Sequence, residues 1–427
     1  MLDSNSKYNP WSKEDEKEHF PCLDEWWALE AFFTSIDDNK KWSLKVALTE
    51  YYENEKKQGS VANITLFDQD EDKQYEYHKR DNKNRLKSDK DKLFVRFGKS
   101  YMKGAFPIYE IRSVDPDNDI EINLKLEAKS YPHWIAQDIT DGWLPMGLGL
   151  YRYGYIPNCK LTGTLKIKNK THKIKGLGYW EHVWGDFDYD KPINPGSLKK
   201  IFSTYVKLVG WWIKKRRIKI PKTITFSSDN NPFGYDWAWA VLDNDWTLFY
   251  GNSMFWIMDG PGMGTLILSK DGKNYTEFND LIFHYKKTKH VKKYDFFYPT
   301  EFELNAKKGK EKIFLDFKMT NKPREFISIF PYAKLHWIGL SICESPGIVK
   351  GYYTDGKNKT KLSGVAKLEP QRQLTTYGHF MLKLDFRLPP KKLGIDIDFK
   401  SHHLKKQIKT QIHLLPKPKI KFSMKKN

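Results

Sequence analysis

The sequence predicts an all-β protein of more than one domain, built from antiparallel barrels or sandwiches with one inserted amphipathic helix. Three observations carry this. Short alternating segments recur behind Gly, Asn or Asp turns at ~8–12-residue intervals, as in sandwiches and barrels. Aromatic residues make up 15% of the chain, and such flat side chains pack well on a pleated surface. The chain has 427 residues, whereas a single hydrophobic core stops growing near ~250–300 residues.

The elements follow in order. Residues 1–19 are polar and read as a loose lead into a first domain at 20–230. Glu25–Ile36 fits helix or strand by pattern alone, but Trp42–Tyr52 alternates. The turn-like Asp37-Asp38-Asn39-Lys40 joins them as a hairpin, so both are expected as strands. Asp68–Lys92 is dense in charge and reads as a solvated loop or an irregular edge. Strands are then expected at Leu93–Phe97, Tyr109–Val114, Ile120–Lys129, Leu161–Lys168, Thr171–Gly176 and Gly178–Gly185. A second domain at 231–370 holds strands at Trp237–Leu242, Thr247–Tyr250, Thr265–Ser269, Thr300–Leu304 and Lys312–Thr320.

One segment, 197–215, breaks the rhythm. Ile201, Phe202, Tyr205, Val206, Leu208, Val209, Trp212 and Ile213 fill an arc of ~160° at roughly 100° per residue, and only Trp211 strays. Lys199, Lys200, Lys207 and Lys214 lie opposite. Pro195 and Gly196 precede the segment, Ser197 is a natural cap, and Lys214-Lys215-Arg216-Arg217 suits the C-terminal end of the dipole. An amphipathic helix is predicted here. A loose internal repeat relates Gly163-Thr164-Leu165 with Gly178–Glu181 to Val349–Tyr352 with Gly364–Glu369; each is a hairpin whose second strand bears a carboxylate.

The formal charge is +20, unevenly spread. From Phe386 to Asn427, twelve Lys/Arg face only Asp396 and Asp398. Residues 371–427 therefore read as a basic extension, suited to an anionic membrane, to nucleic acid or simply to solubility. No nucleic-acid reader motif accompanies the charge, so that partner is not expected. Cys22, Cys159 and Cys343 form no CxxC pair, which speaks against a disulfide framework or zinc site and suits a reducing compartment. No signal peptide and no membrane-length apolar run is visible, so a soluble cytoplasmic chain, peripheral to a membrane at most, is expected. The sequons at Asn63, Asn169, Asn274 and Asn358 are then not acceptors. Gly260–Gly264 lacks the Lys-Ser/Thr of a phosphate loop and reads as a turn. His402, His403 and His413 have no partner at ligand spacing. No metal and no organic cofactor is expected.

The densest chemical cluster is Gly176–Phe187. In a strand, Trp180, His182 and Trp184 share one face, and Tyr179, Glu181 and Val183 the other. Burial among such rings raises a carboxyl and lowers an imidazole. A neutral Glu181 there is suited to protonating a carbon–carbon double bond, with indole faces stabilising the cation. The plain alternative is a Trp-lined strand whose Glu and His serve only the structure. In a second cluster, Tyr235–Trp246, Trp237 and Trp239 point one way, while Asp236 is either a second acid or a loop cap. In the second half, His336 and Trp337 precede Cys343 and Glu344. Cys343 has no base beside it and reads as a small hydrophobe.

The run Gly178-Tyr179-Trp180-Glu181-His182-Val183-Trp184-Gly185 resembles the D-H-x-W-G signature of the carotenoid 1,2-hydratase and AttH-like superfamily. Three further stretches are similar to that superfamily's motifs and fall in its order. They are Glu25-Trp26-Trp27, then Asp236–Asp243, then Cys343–Gly351 with Gly364–Glu369. The resemblance spans residues 20–370. It implies two lipocalin-like antiparallel β-barrels side by side, and hydratase or cyclase chemistry on polyenes. Two departures stand out. Glu181 replaces the signature Asp and reaches one methylene further, and Ile342-Cys343-Glu344-Ser345 lacks the aromatics of the final motif. The helix and the basic extension lie outside the resemblance.

Two functions are therefore expected from different classes. In the first, Glu181 is the proton donor on a polyene or isoprenoid-like lipid, His182 its hydrogen-bond partner and Asp236 a further acid. Trp27, Trp180, Trp184, Trp237, Trp239 and Glu344 contact the ligand. In the second, the protein is a lipocalin-like carrier whose aromatics only line a cavity for an apolar ligand. The helix, through Trp211, Trp212, Lys214, Lys215, Arg216 and Arg217, either docks on an anionic bilayer with the basic extension or packs its apolar arc across the seam between the barrels.

Overall fold

The computed structural model describes residues 1–426 except 21, 54–55, 82–85, 147–148, 188–197, 217–222, 228–233, 254–262, 279, 295, 330–336, 377, 388–391 and 402–405. Arg217, His336, His402, His403 and the first three residues of Gly260–Gly264 thus lie outside the described residues, as do Pro195, Gly196 and Ser197. The first sheet holds β1 (Asp24–Ser35), β2 (Lys41–Glu53), β3 (Lys56–Asp68), β4 (Lys73–Asp81), β5 (Leu86–Ser88), β6 (Leu93–Phe97), β7 (Ser100–Ala105), β8 (Ile108–Asp115), β9 (Ile120–Ala128), β10 (His133–Trp134), β11 (Trp143–Met146), β12 (Gly149–Ile167) and β13 (Lys170–Asp186). Their order is β4-β3-β2-β1-β13-β12-β9-β8-β7-β6-β5, with β10 and β11 paired to β12. The sheet curls until β5 and β6 return against β2, where Ser88 Oγ donates to Glu50 at 3.2 Å.

A short helix α1 (Gln137–Thr140) and the long α2 (Leu198–Arg216) pack beside this sheet, and β14 (Thr223–Ser227) follows. The second sheet holds β15 (Gly234–Leu242), β16 (Thr247–Ser253), β17 (Met263–Ser269), β18 (Tyr275–Phe278), β19 (Asp280–Val291), β20 (Phe296–Lys308), β21 (Glu311–Met319), β22 (Arg324–Ile329), β23 (Trp337–Thr354) and β24 (Lys359–Thr376). Its order, β18-β17-β16-β15-β24-β23-β21-β20-β19, repeats the plan of the first. In both, a four-strand meander pairs through its first strand with the last strand of a second meander. The sequence repeat falls on the matching hairpins β12–β13 and β23–β24. Pairing is antiparallel throughout.

Several elements differ from expectation. Of the two readings of the charged stretch after Asp68, the edge holds and the loop does not: β4 pairs along β3 as a regular edge strand. Tyr75 and Tyr77 pack on the core between charged neighbours, and charge on an edge discourages further pairing. The segments expected at Thr171–Gly176 and Gly178–Gly185 are one strand. Gly176 is not a turn residue; a Cβ there would lie 2.0 Å from the carbonyl oxygen of Phe32 on β1, so it permits close strand approach. Residues 1–19 pack on the first barrel. Trp11 is buried with its ring centroid 5.5 Å from that of Trp134, and Asp15 bonds Arg152 at 2.9 Å.

The basic C-terminal segment forms β25 (Gly378–Arg387), β26 (Lys392–Ser401), β27 (Lys406–Leu415) and β28 (Lys419–Lys426). With β14 they make a third sheet, ordered β14-β25-β26-β27-β28. Exposed Ile420, Phe422 and Met424 alternate with Lys419, Lys421, Ser423 and Lys425 along β28. That period of two was hidden by reading the segment for charge alone.

Three apolar clusters result. One fills the first curled sheet and one the second. The third lies between them and takes Trp26, Tyr153, Tyr155 and Tyr179 from the first sheet and Trp237, Trp239 and Phe249 from the second.

Candidate active site between the barrels

Strand alternation decides what β13 presents to each side. Trp180, His182 and Trp184 turn into the first barrel, and Tyr179, Glu181 and Val183 turn into the seam. Glu181 is half-buried among rings. Trp26 Nε1 donates to its Oε1 at 2.9 Å, and the Tyr153 hydroxyl donates to its Oε2. Tyr153 is itself a junction. Its oxygen lies 2.9 Å from the Tyr179 hydroxyl and accepts from Trp237 Nε1 at 3.0 Å. With Trp237 donating and Tyr153 committed to Glu181, Tyr179 must donate to Tyr153. The result is a directed hydroxyl chain, Tyr179 to Tyr153 to Glu181. Trp239 anchors on the Pro157 carbonyl at 2.8 Å and stacks on Phe32.

Burial pushes the Glu181 carboxyl above its usual range; the bonds from Tyr153 and Trp26 oppose this. Burial among aromatic faces thus favours the protonated form of this carboxyl, the form that can give up a proton.

Beside the aromatic patch the seam becomes ionic. Lys45 of β2 meets Glu369 of β24, and its Nζ lies 3.5 Å from both Glu30 and Glu344. Fully buried Lys367 lies 3.5 Å from Glu30 and 3.7 Å from Glu344. Arg324 of β22 reaches Glu344 at 3.0 Å, Glu76 at 2.9 Å and Asn63 at 3.1 Å, so it ties the second sheet to the first. Burial raises the Glu30 carboxyl to about 8, whereas Lys367, Lys45 and Arg324 hold Glu344 well below the usual range against its burial.

Of the expected residues, Glu181, Trp237 and Trp239 share this seam. His182 does not partner Glu181. As the next residue of a strand it points the other way, where its Nε2 meets Glu25 at 2.8 Å. Trp27, Trp180 and Trp184 also face the first barrel; Trp180 stacks on Tyr109 with centroids 4.7 Å apart. Asp236 precedes Trp237 and so turns into the second barrel, bound to buried Arg372 at 2.9 Å and to the Tyr285 hydroxyl. Glu344 lies in the ion cluster, held as an anion. Sequence reasoning placed Tyr179 on the face of Glu181 but missed Trp26 and Tyr153 as its partners. The signal existed in Tyr151-Arg152-Tyr153-Gly154-Tyr155, which alternates aromatic residues just before the strand expected at Leu161.

No family model matches the chain, and no curated protein sequence matches it. Solved structures do. A protein of Nitrosomonas europaea assigned as AttH aligns with 88% of this chain and 100% of its own, at TM-score 0.57 and 14% identity. Kievitone hydratase of Nectria haematococca aligns with 86% of this chain and 94% of its own, at TM-score 0.55 and 12% identity. CghA with Sch210972 aligns with 83% of this chain and 89% of its own, at TM-score 0.50 and 11% identity. The shared feature is the fold, a pair of lipocalin-like barrels.

Proposed function

We propose that the chain is an acid–base enzyme acting on a carbon–carbon double bond of an apolar, polyene or isoprenoid-like substrate, as a hydratase, isomerase or cyclase. The observation that carries this reading is Glu181, half-buried among aromatic rings and fed by the Tyr179–Tyr153 hydroxyl chain. In the proposed step the Glu181 carboxyl gives its proton to one alkene carbon, and the π pair becomes the new C–H bond. The adjacent carbon becomes a cation, which the faces of Trp26, Trp237 and Phe249 stabilise. Attack by water, or loss of a neighbouring proton, ends the reaction and returns a proton to Glu181. One structural neighbour is named a hydratase, which agrees with this chemistry.

The second reading, an apolar-ligand carrier, rests on the same aromatic seam used only for packing. The test begins with lipids that co-purify with the protein, identified by native mass spectrometry. These are incubated with fresh protein in heavy-oxygen water and in deuterium oxide. Isotope incorporation or a change of isomer with the wild type, absent with Glu181→Gln, supports the enzyme. Ligand recovered unchanged from the wild type assigns the carrier.

A further inference from the structure

We infer that His19, His182 and Glu25 form a binding site for a divalent transition-metal ion of the zinc class at the end of the first barrel. The site lies on the opposite face of β13 from Glu181. One nitrogen of each imidazole and one carboxylate oxygen lie within 4.8 Å of one another. His182 Nε2 and His19 Nδ1 converge on the same atom, Glu25 Oε1, at 2.8 and 3.0 Å.

The other nitrogen of His182 decides the argument. Its Nδ1 lies 2.8 Å from the Asp15 carbonyl oxygen. A carbonyl only accepts, so Nδ1 carries the N–H. In a neutral ring, Nε2 then turns a lone pair toward a carboxylate oxygen at hydrogen-bond distance. Two acceptors face each other there, and a cation between them resolves the contact. An imidazole whose second nitrogen donates to a backbone carbonyl is the usual support of a metal ligand. Donors about 2.0–2.2 Å from a shared zinc stand roughly 3 Å or more apart, close to the spacing found here.

The set is also held in place. The His182 ring lies against Trp27 with centroids 4.9 Å apart, and the His19 ring stacks on Trp184 at 3.6 Å and 7°. The backbone N–H of His19 donates to both Glu25 oxygens at 3.0 and 3.1 Å. The His19 side chain remains 20% exposed, whereas Glu25 and His182 are buried, so His19 is the member of the set nearest solvent. His19 and Asp15 belong to the N-terminal lead, whereas Glu25 and His182 belong to β1 and β13. The ion therefore fastens the lead to the barrel.

The experiment uses the full chain, stripped with a chelator and titrated separately with Zn2+ and Co2+. The expected result is one Zn2+ per chain with a raised melting temperature, and cobalt ligand-field bands of a four- or five-coordinate site. His19→Gln changes a partly exposed side chain and should leave the fold intact. It should weaken Zn2+ binding by about tenfold or more and abolish both the melting shift and the cobalt bands. Absence of saturable binding overturns the proposal and leaves a proton between His182 and Glu25. Binding unchanged in His19→Gln overturns it equally, because the ion then sits elsewhere.

Discussion

At the scale of single residues, one strand register sends neighbouring side chains into different surroundings. Glu181 and His182 are adjacent in sequence but lie on opposite faces of β13, so the pair cannot share a task. Glu181→Gln is expected to keep the fold and ligand binding while abolishing turnover, since Gln fills the same space without an acidic proton; retained turnover in a product assay would remove Glu181 as the acid. The acid works protonated, so activity should fall as pH rises through the raised pKa of Glu181. The Tyr153 bond lowers that pKa, so Tyr153→Phe should move the alkaline limb of the pH–rate profile to higher pH. A second carboxyl bears on stability. Glu16 is buried, accepts from the Phe106 N–H at 2.8 Å, and has its pKa raised to about 7, chiefly by burial. Its folded pKa exceeds its unfolded value, so the folded state binds the extra proton between about pH 4.5 and 7. Stability is then full below that window and lost as pH rises through it, by up to about 3 kcal/mol. Glu16→Gln should remove this loss, seen as a smaller difference between urea midpoints at pH 5 and pH 8. The alternation of β13 was legible in the sequence, and so was the face of Glu181. The partners of His182 were not, because Glu25 and Asp15 lie far away along the chain and no local spacing marks them.

At the scale of elements, the helix shows what periodicity can and cannot decide. Its existence followed from the period of the apolar residues, and α2 runs Leu198–Arg216. Which side packs was not legible, because the apolar arc is wider than the contact it makes. The structure splits the arc. Ile201 and Thr204 are buried against the first barrel, with Tyr205, Leu208 and Trp211 partly covered. Leu198, Phe202 and Val206 are 61%, 72% and 54% exposed, one stripe at a spacing of four. Exposed Lys199, Lys200, Lys207 and Lys214 accompany that stripe. An apolar stripe beside lysines on a chain of charge +20 matches an anionic bilayer, the natural reservoir of an apolar substrate. Among the described residues no helix is long and apolar enough to cross a membrane, so the proposed contact is at the surface. The protein is expected to float with anionic vesicles at low salt and to release at high salt. Phe202→Glu with Val206→Glu, both exposed and therefore neutral to folding, should abolish flotation. If the wild type stays at the bottom of the gradient at low salt, α2 has no lipid role.

At the scale of the whole molecule, the duplicated meander plan was legible as turn spacing and a loose repeat. The seam was not, because it is made only when two distant sheets meet. Its aromatic half places Glu181, and its ionic half holds the barrels together through charges that neither sheet could bury alone. Lys367 is the test of this. It is fully buried, lies 3.5 Å from Glu30 and 3.7 Å from Glu344, and its ammonium sits 4.5 Å from the centroid of the Phe67 ring on the first sheet. Removing one partner of a buried ion pair costs ~3–5 kcal/mol where the other charge is left unpaired; Glu344 keeps Arg324 at 3.0 Å and Lys45 at 3.5 Å, so the cost here falls below that range. Lys367→Met should therefore lower stability measurably in urea unfolding, by less than about 3 kcal/mol. Adding Glu344→Gln should recover part of the loss, because the carboxylate that lost one of its cations is then gone, with a coupling of ~0.5–3 kcal/mol between the two sites. Arg324 limits the recovery, since it too depends on Glu344 at 3.0 Å. Additive effects of the two substitutions, or a Lys367→Met protein as stable as the wild type, would mean that the seam is held by its aromatic half alone, through Trp237, Trp239 and Phe249 packed against Tyr153, Tyr155 and Tyr179.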